Sequence, residues 1–377
     1  MSITCDVLVI GGGPAGLATA LLLSKKGFST VVLEKGKTGG PKHTKYDITE
    51  GNRIREILEE LGVKPNKISS ISEWISPNHN FILDSEIEDF YFKRGPEGGS
   101  LENMLMGKLN DDNVKIFFKS KVDSIEREGK EIVSLEIEAD AERLKIKPRY
   151  VIVADGPESE FTKRLNIKAR TLATFNGFGV LLKSNEIDSI PHAKIYFDKD
   201  IAPGGYLYSG SVGNESFFCI VYDAIFSKKN SLKHDLKSFL KQNMQYEFTV
   251  KNYFSGMGIS GIQDVTMGNT MFVGGAGLFC DPFFGYGLNY AIESAYYAAK
   301  SIEENNTKIF HDYSNKIQNE LSGMYFARDI WRKADNDFFD RLLMAFNGKY
   351  DTDDENINKI IELFGENSNS KTKKGRK

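Results

Sequence analysis

One stretch near the start, Cys5-Asp6-Val7-Leu8-Val9-Ile10-Gly11-Gly12-Gly13-Pro14-Ala15-Gly16-Leu17, limits what the chain can fold into more than any other. The apolar run Val7 to Ile10 predicts a buried parallel strand. It leads into Gly11, Gly13 and Gly16, the spacing of a dinucleotide fingerprint, and then into an Ala/Leu-rich helix. Gly11 permits the tight turn, Gly13 lets backbone approach a pyrophosphate, and Gly16 lets the helix pack on its strand. The helix N-terminus, opened by Pro14 and Ala15, offers free N–H groups and partial positive charge to a diphosphate. Val31-Val32-Leu33-Glu34 predicts a second strand, with Glu34 placed to accept adenosine ribose hydroxyls and Lys35 beside it. A glycine-rich turn without a ligand is the bland alternative. Strand, glycines, helix and acid agree in order and spacing, which favours a dinucleotide. The motif specifies an ADP moiety and leaves FAD and a nicotinamide nucleotide both open.

At 377 residues the chain is long enough for two domains, or for one large domain with an insertion. A hydrophobic content of 40%, with 26 Phe and 16 Tyr, supports a substantial core and by itself says nothing about substrate. The net charge of −3 carries no nucleic-acid signature. Three widely spaced cysteines, Cys5, Cys219 and Cys280, exclude a disulfide framework and point to a reducing compartment. The N-terminus enters the first strand at once, without a secretory pattern, and no apolar run is long enough to span a bilayer. The expectation is a cytoplasmic protein, at most peripheral to the inner face of a membrane. No residue is assigned to a metal.

Lys35 to Tyr46 reads as a polar, breaker-rich loop. Loops at the carboxyl ends of parallel strands bind ligands, so Lys42, His43 and Tyr46 are candidates to face a cofactor. Each is equally well explained as a solvated loop residue. A helix is predicted from Asn52 to Leu61, then strands of a second sheet from Ile68 to Phe92, and a helix capped by Ser100. Val122 to Ile146 alternates as a β-meander, and Tyr150 to Gly156 reads as a buried strand ending in Asp155-Gly156. Thr171 to Tyr222 is strand-rich, followed by a helix over Leu232 to Gln242. Thr270 to Gly275 is a strand ending in glycines, Leu288 to Ile302 a helix, and Phe310 to Phe364 helical by periodicity. The polar, basic end from Ser368 is expected to be disordered.

Three separated stretches now bear on the cofactor. Gly11 to Gly16, Ala154-Asp155-Gly156-Pro157-Glu158-Ser159 and Val273 to Gly287 together resemble the flavoprotein superfamily built like p-hydroxybenzoate hydroxylase. Within it, Lys194 to Tyr208 and Val273 to Gly287 look most like the geranylgeranyl reductases. The resemblance implies an α/β fold: a Rossmann-type FAD-binding domain with an inserted antiparallel β-sheet substrate domain and C-terminal helices. The expected division is 1–70, 95–170 and 265–304 for FAD, 71–94 and 171–264 for substrate, 305–364 helical, and 365–377 as a basic tail. It further implies that backbone at Gly285, Tyr286 and Gly287, with the helix N-terminus at Leu288, meets the flavin's O2/N1 edge, favouring the reduced state. Asp155 and Gly156 would face the diphosphate, and Arg94 matches a family arginine near the cofactor. Three stretches depart from the family pattern. Gly275 stands where an Asp usually bonds the ribityl chain, which would cost about 1.5–3 kcal/mol of binding. The reductase signature keeps Tyr206 but has Tyr208, Gly210 and Ser211 for Trp, Phe and Pro. Pro41 to Thr44 lacks the Cys-Gly pair common in archaeal reductases.

The leading expectation is an FAD-dependent reductase of carbon–carbon double bonds in a polyprenyl lipid. An isolated alkene is a poor hydride acceptor, so positioning and a proton donor matter most. Tyr206, Tyr208, His43 and Cys280 are the candidate catalytic residues. The alternatives are a monooxygenase or oxidase of an aromatic substrate and a redox-neutral FAD-binding protein. No second nucleotide fingerprint exists in the sequence, so the electron donor is open between a transient NAD(P)H contact and a small redox protein. The tail at Lys371, Lys373, Lys374, Arg376 and Lys377 reads either as a solubilising end or as a weak contact with an anionic surface.

Overall fold

The computed structural model describes residues 2–37, 39, 46–109, 112–139, 142–183, 193–212, 215–226, 231–243, 249–348 and 354–367. Lys42, His43 and the basic tail lie outside the described residues.

The fingerprint region forms β1 (Ser2–Ile10), α1 (Pro14–Lys25) and β2 (Thr30–Leu33). Val7, Leu8 and Val9 are fully buried, as expected of a central strand covered on both faces. Helix α1 is apolar nearly all round and buries Ala15 through Ser24, because a sheet lies on one side and a second helix on the other. The chain continues through β3 (Tyr46–Glu50), α2 (Gly51–Leu61), β4 (Lys67–Ile75) and β5 (Asn80–Lys93). Then come α3 (Leu101–Met106), β6 (Val114–Phe117), β7 (Lys121–Glu128), β8 (Glu131–Ala139), β9 (Glu142–Val153) and α4 (Glu160–Arg164). Ser100 caps α3, its Oγ accepting the Asn103 N–H at 3.1 Å. A long antiparallel section follows: β10 (Ala169–Lys183), β11 (Ala193–Tyr196), β12 (Tyr206–Val212), β13 (Glu215–Asp223), α5 (Ser231–Asn243) and β14 (Thr249–Gln263). The chain ends in β15 (Thr266–Met267), β16 (Thr270–Phe272), a 3-10 turn at Gly274–Gly277, α6 (Leu288–Glu303), α7 (Lys308–Lys333), α8 (Asn336–Phe346) and α9 (Glu355–Asn367).

Two sheets result. The first runs β15-β16-β9-β1-β2-β6, with the β7–β8 hairpin extending from β9. Its centre is parallel: Val7 sits opposite Thr30 on one side and Tyr150 on the other. The second runs β14-β10-β13-β12-β11-β4-β5-β3 and is antiparallel except where β11 meets β4. It takes in β3 and all of β4, so its strands begin ahead of the expected boundary at residue 71. The reason is β3, five residues behind a breaker-rich loop, which pairs with β5 with Asp47 opposite Phe92.

Helix α7, 26 residues and so about 39 Å long, joins the two halves. Phe310, Tyr313, Ile317 and Leu321 pack with the first sheet, whereas Ala327 and Trp331 pack with the second. Its anchor is Asp223 at the end of β13, which accepts Arg328 Nε at 3.0 Å, Arg328 Nη2 at 2.6 Å and Arg332 Nε at 2.6 Å. The Arg328 and Asp223 side chains are each 1% exposed, and the guanidinium lies 4.6 Å over the Phe175 ring. Removing one member of such a buried group strands the others. Asp223→Ala is expected to lose about 3–5 kcal/mol in urea unfolding; a loss under about 1 kcal/mol would mean α7 is held by apolar contact alone.

Candidate functional site

The site starts from backbone sterics. A Cβ at Gly16 would lie 1.9 Å from the Gly11 carbonyl oxygen, and one at Gly11 would lie 2.2 Å from that of Ala154. Gly11 itself has φ +111°. These approaches set the start of α1 at the carboxyl ends of β1 and β9. Helix α1 has no side-chain cap and no acid in its first turn, so its first N–H groups are free for a ligand. Glu34 accepts the Gly12 N–H at 2.8 Å and the Gly36 N–H at 2.5 Å, bracing the fingerprint loop from the end of β2.

Helix α6 repeats the arrangement. It begins after Gly287 with no side-chain cap and no acid in its first turn. A tight strap leads into it: the Asp281 carboxylate accepts the N–H groups of Phe283 and Phe284 at 2.5 and 2.9 Å, and its own N–H donates to the Tyr286 carbonyl at 2.8 Å. Burial pushes the Asp281 carboxyl up to about 6.

Both helix ends face one cavity of about 970 Å³. Gly11, Gly13, Pro14, Ala15, Glu34, Lys35, Asp155 and Gly156 line it around the start of α1. Gly275, Gly285, Tyr286, Gly287 and Leu288 line it along the strap, and Tyr206, Tyr208, Cys280 and Arg94 elsewhere on its wall. Gly16 does not line the cavity; it packs behind it, against Gly11. Tyr46 also lines it, with its hydroxyl donating to Glu215 at 2.6 Å. His43, outside the described residues, receives no placement.

The wall from the second sheet is mostly apolar: Phe175, Cys219, Val221 and Phe254 join the tyrosines. Tyr206 donates its hydroxyl to the Phe284 carbonyl at 2.5 Å and sits edge-on to the Phe284 ring. Burial raises the Tyr206, Tyr208 and Tyr286 phenols and the Cys280 thiol, and pushes Cys219 up to about 12. Arg94 is buried, donating Nε to Glu102 at 2.8 Å and Nη1 to Asp47 at 2.6 Å. Asp47, Phe175 and Cys219 line the cavity without having been expected at a site from the sequence. A lone acid in a five-residue strand and isolated apolar residues carry no motif.

The residues fit an elongated dinucleotide. Two uncapped helix N-termini converge on one cavity, and apart from their chain neighbours no atom of the described residues lies within 4 Å of where a Cβ would stand at Gly13 or Gly156. Asp155 Oδ1, buried in the wall, has no hydrogen-bond partner among the described residues. Gly275 differs: a Cβ there would lie 2.9 Å from the Pro157 nitrogen, so the loop after Asp155 fills the space an acid would need.

A carboxyl raised in the folded state binds its proton more tightly there than in the unfolded chain. Stability is then lost as pH rises from about 4 through 6, and the loss persists above. Asp281→Asn stays neutral and keeps an acceptor for the strap. It is expected to be about 1–3 kcal/mol more stable than the parent at pH 8 and no more stable at pH 4, read by thermal unfolding at both values.

A family model described as an FAD binding domain matches residues 4–307. The digeranylgeranylglycerophospholipid reductase of Thermoplasma volcanium is 26% identical over 393 residues, covering 96% of this chain and 92% of that protein. A solved structure of a geranylgeranyl bacteriochlorophyll reductase-like protein from Thermoplasma acidophilum aligns with TM-score 0.81 at 20% identity, covering 97% of this chain and 98% of that one. The p-nitrophenol 4-monooxygenase of Pseudomonas putida aligns with TM-score 0.70 at 17% identity, covering 92% and 98%. At such identities the two structures speak for the α/β fold, which is the expected one. With the match running from β1 through α6 and the cavity fitting the dinucleotide, the chain belongs to the FAD-binding-domain family of flavin-dependent oxidoreductases.

Proposed function

We propose that the chain reduces carbon–carbon double bonds in an apolar polyprenyl lipid of the geranylgeranyl type. The observation that carries this reading is the continuity of the cavity, from a dinucleotide cradle past the α6 N-terminus to an apolar wall of Phe175, Val221 and Phe254. The name of the Thermoplasma volcanium relative points the same way.

FAD, when bound and reduced, supplies a hydride. The remaining work falls to this chain. The free N–H groups of α1 hold the diphosphate, Glu34 and Lys35 lie by the ribose, and Asp155, Gly156 and Arg94 complete the cradle. The backbone of Gly285, Tyr286 and Gly287 and the N-terminus of α6 offer donors to an edge that gains negative charge on reduction. Tyr206 holds the strap in place through the Phe284 carbonyl. Tyr208 and Cys280 wall the substrate space, and the apolar surround excludes water from an unreactive alkene. The second sheet serves as the substrate domain. A lipid substrate calls for contact with a membrane surface, and no described helix is long and apolar enough to cross one. Electrons arrive from NAD(P)H or a small redox protein.

The test uses the full chain loaded with FAD, reduced anaerobically with dithionite and mixed with a geranylgeranyl lipid. The oxidised flavin spectrum is expected to return as the lipid gains two hydrogens per bond, read by mass spectrometry. A spectrum that the lipid leaves unchanged would overturn the reading, and rapid reoxidation by oxygen with hydroxylation of an added phenol would replace it with a monooxygenase.

A further inference from the structure

We propose that Asp47, on β3, is the acid that gives the alkene its proton. The inference rests on the reductase reading and extends it to a residue outside the fingerprint and the strap.

The cluster around Arg94 contains two carboxyls and one guanidinium. Glu102 is 0% exposed, accepts Arg94 Nε at 2.8 Å and accepts the Gly95 N–H at 2.9 Å. Both of its oxygens are engaged by donors, so Glu102 is the anion that answers the arginine's charge. Asp47 is the second acid on a cation already neutralised. It meets Arg94 through Oδ2 at 2.6 Å, while its side chain is 26% exposed on the cavity wall. A second negative charge here would be uncompensated in a desolvated place, so Asp47 is the carboxyl that keeps a proton. Its carboxyl is raised by burial, with Glu102 adding and Arg94 opposing. The titratable groups that share the cavity wall with it are Tyr208 of β12, Cys219 of β13, and Cys280 and Tyr286 of the strap, each raised chiefly by burial. Those phenols and thiols hold their protons far more tightly than a carboxyl does.

The reaction balances. One carbon of the double bond receives a hydride, with both electrons, from the reduced cofactor. The Asp47 O–H bond breaks, and its proton forms the new C–H bond on the other carbon. The carboxylate left behind, uncompensated, takes a proton back from water. The alkene is reduced and the flavin oxidised.

Two measurements decide it. The first is single-turnover reduction of a geranylgeranyl lipid by dithionite-reduced holoenzyme between pH 5 and 9, for the parent, Asp47→Asn and Asp47→Glu. Asp47→Asn is expected to be at least about 100-fold slower with lipid affinity and flavin content unchanged, and Asp47→Glu to recover much of the rate. The parent rate is expected to fall on the alkaline side, and the residual Asp47→Asn rate to be flat. The second is infrared spectroscopy of the apo-protein labelled with 13C-aspartate, where a protonated carboxylic acid band at pH 7 is expected in the parent and absent in Asp47→Asn. If Asp47→Asn does not fold, Asp47→Glu carries the test, with the alkaline fall in rate kept and the labelled aspartic acid band lost. An Asp47→Asn rate close to that of the parent, or no such band, would overturn the donor alone. A parent protein that leaves the lipid unreduced would overturn the reductase reading and the donor with it.

Discussion

Two backbone contacts set the geometry on which the rest depends: Gly16 against the Gly11 carbonyl, and Gly11 against that of Ala154. The first draws α1 onto the end of β1. The second draws the β9 loop, with Asp155 and Gly156, onto the same point. A side chain at either glycine would push helix, strand and loop apart by more than a van der Waals diameter allows. Because these three elements meet without side chains between them, the N–H groups of α1 and the carboxyl of Asp155 open into one space. Helix α6 packs along α1, so its own N-terminus arrives in that space too. The cradle thus follows from packing, before any ligand is considered.

Local signals were easy to read in the sequence, and distant ones were not. The glycine spacing, the apolar run of β1, the Ser100 cap and the helical face of Ile54, Ile57, Leu58 and Leu61 are each written within a few residues, and the structure carries them as read. The second sheet was legible as strand-rich, yet its far edge was not. β3 is short and follows breakers, and its pairing with β5 depends on a partner some forty residues on. The same limit hid the chemistry of Arg94. Its place near a cofactor came from family likeness, but its partners Asp47 and Glu102 lie 47 and 8 residues away and belong to no motif. The Asp223–Arg328 anchor spans 105 residues and was equally invisible. Buried charge pairing is a property of the fold, and a single sequence shows only its unpaired halves.

The two sheets differ in how they use burial. The first is parallel at its centre and packs α1 against β1 and β2, so its interior is aliphatic and its ends carry the polar work. The second presents an aromatic face: Tyr46 stacks on Phe217, and Trp74, Phe197, Trp331 and Phe283 meet edge to face. Large, stiff rings give a shaped apolar surface with little rotamer entropy to lose. Helix α7 fastens that surface to the first sheet, so the aromatic face and the fingerprint cradle belong to one packed body.

The meeting of Gly275 with Pro157 has a bearing on redesign. With the Pro157 nitrogen 2.9 Å from where a Cβ would stand, no side chain enters at 275 until the backbone of the neighbouring loop gives way. An acid installed there alone would displace the very loop that carries Asp155 and Gly156.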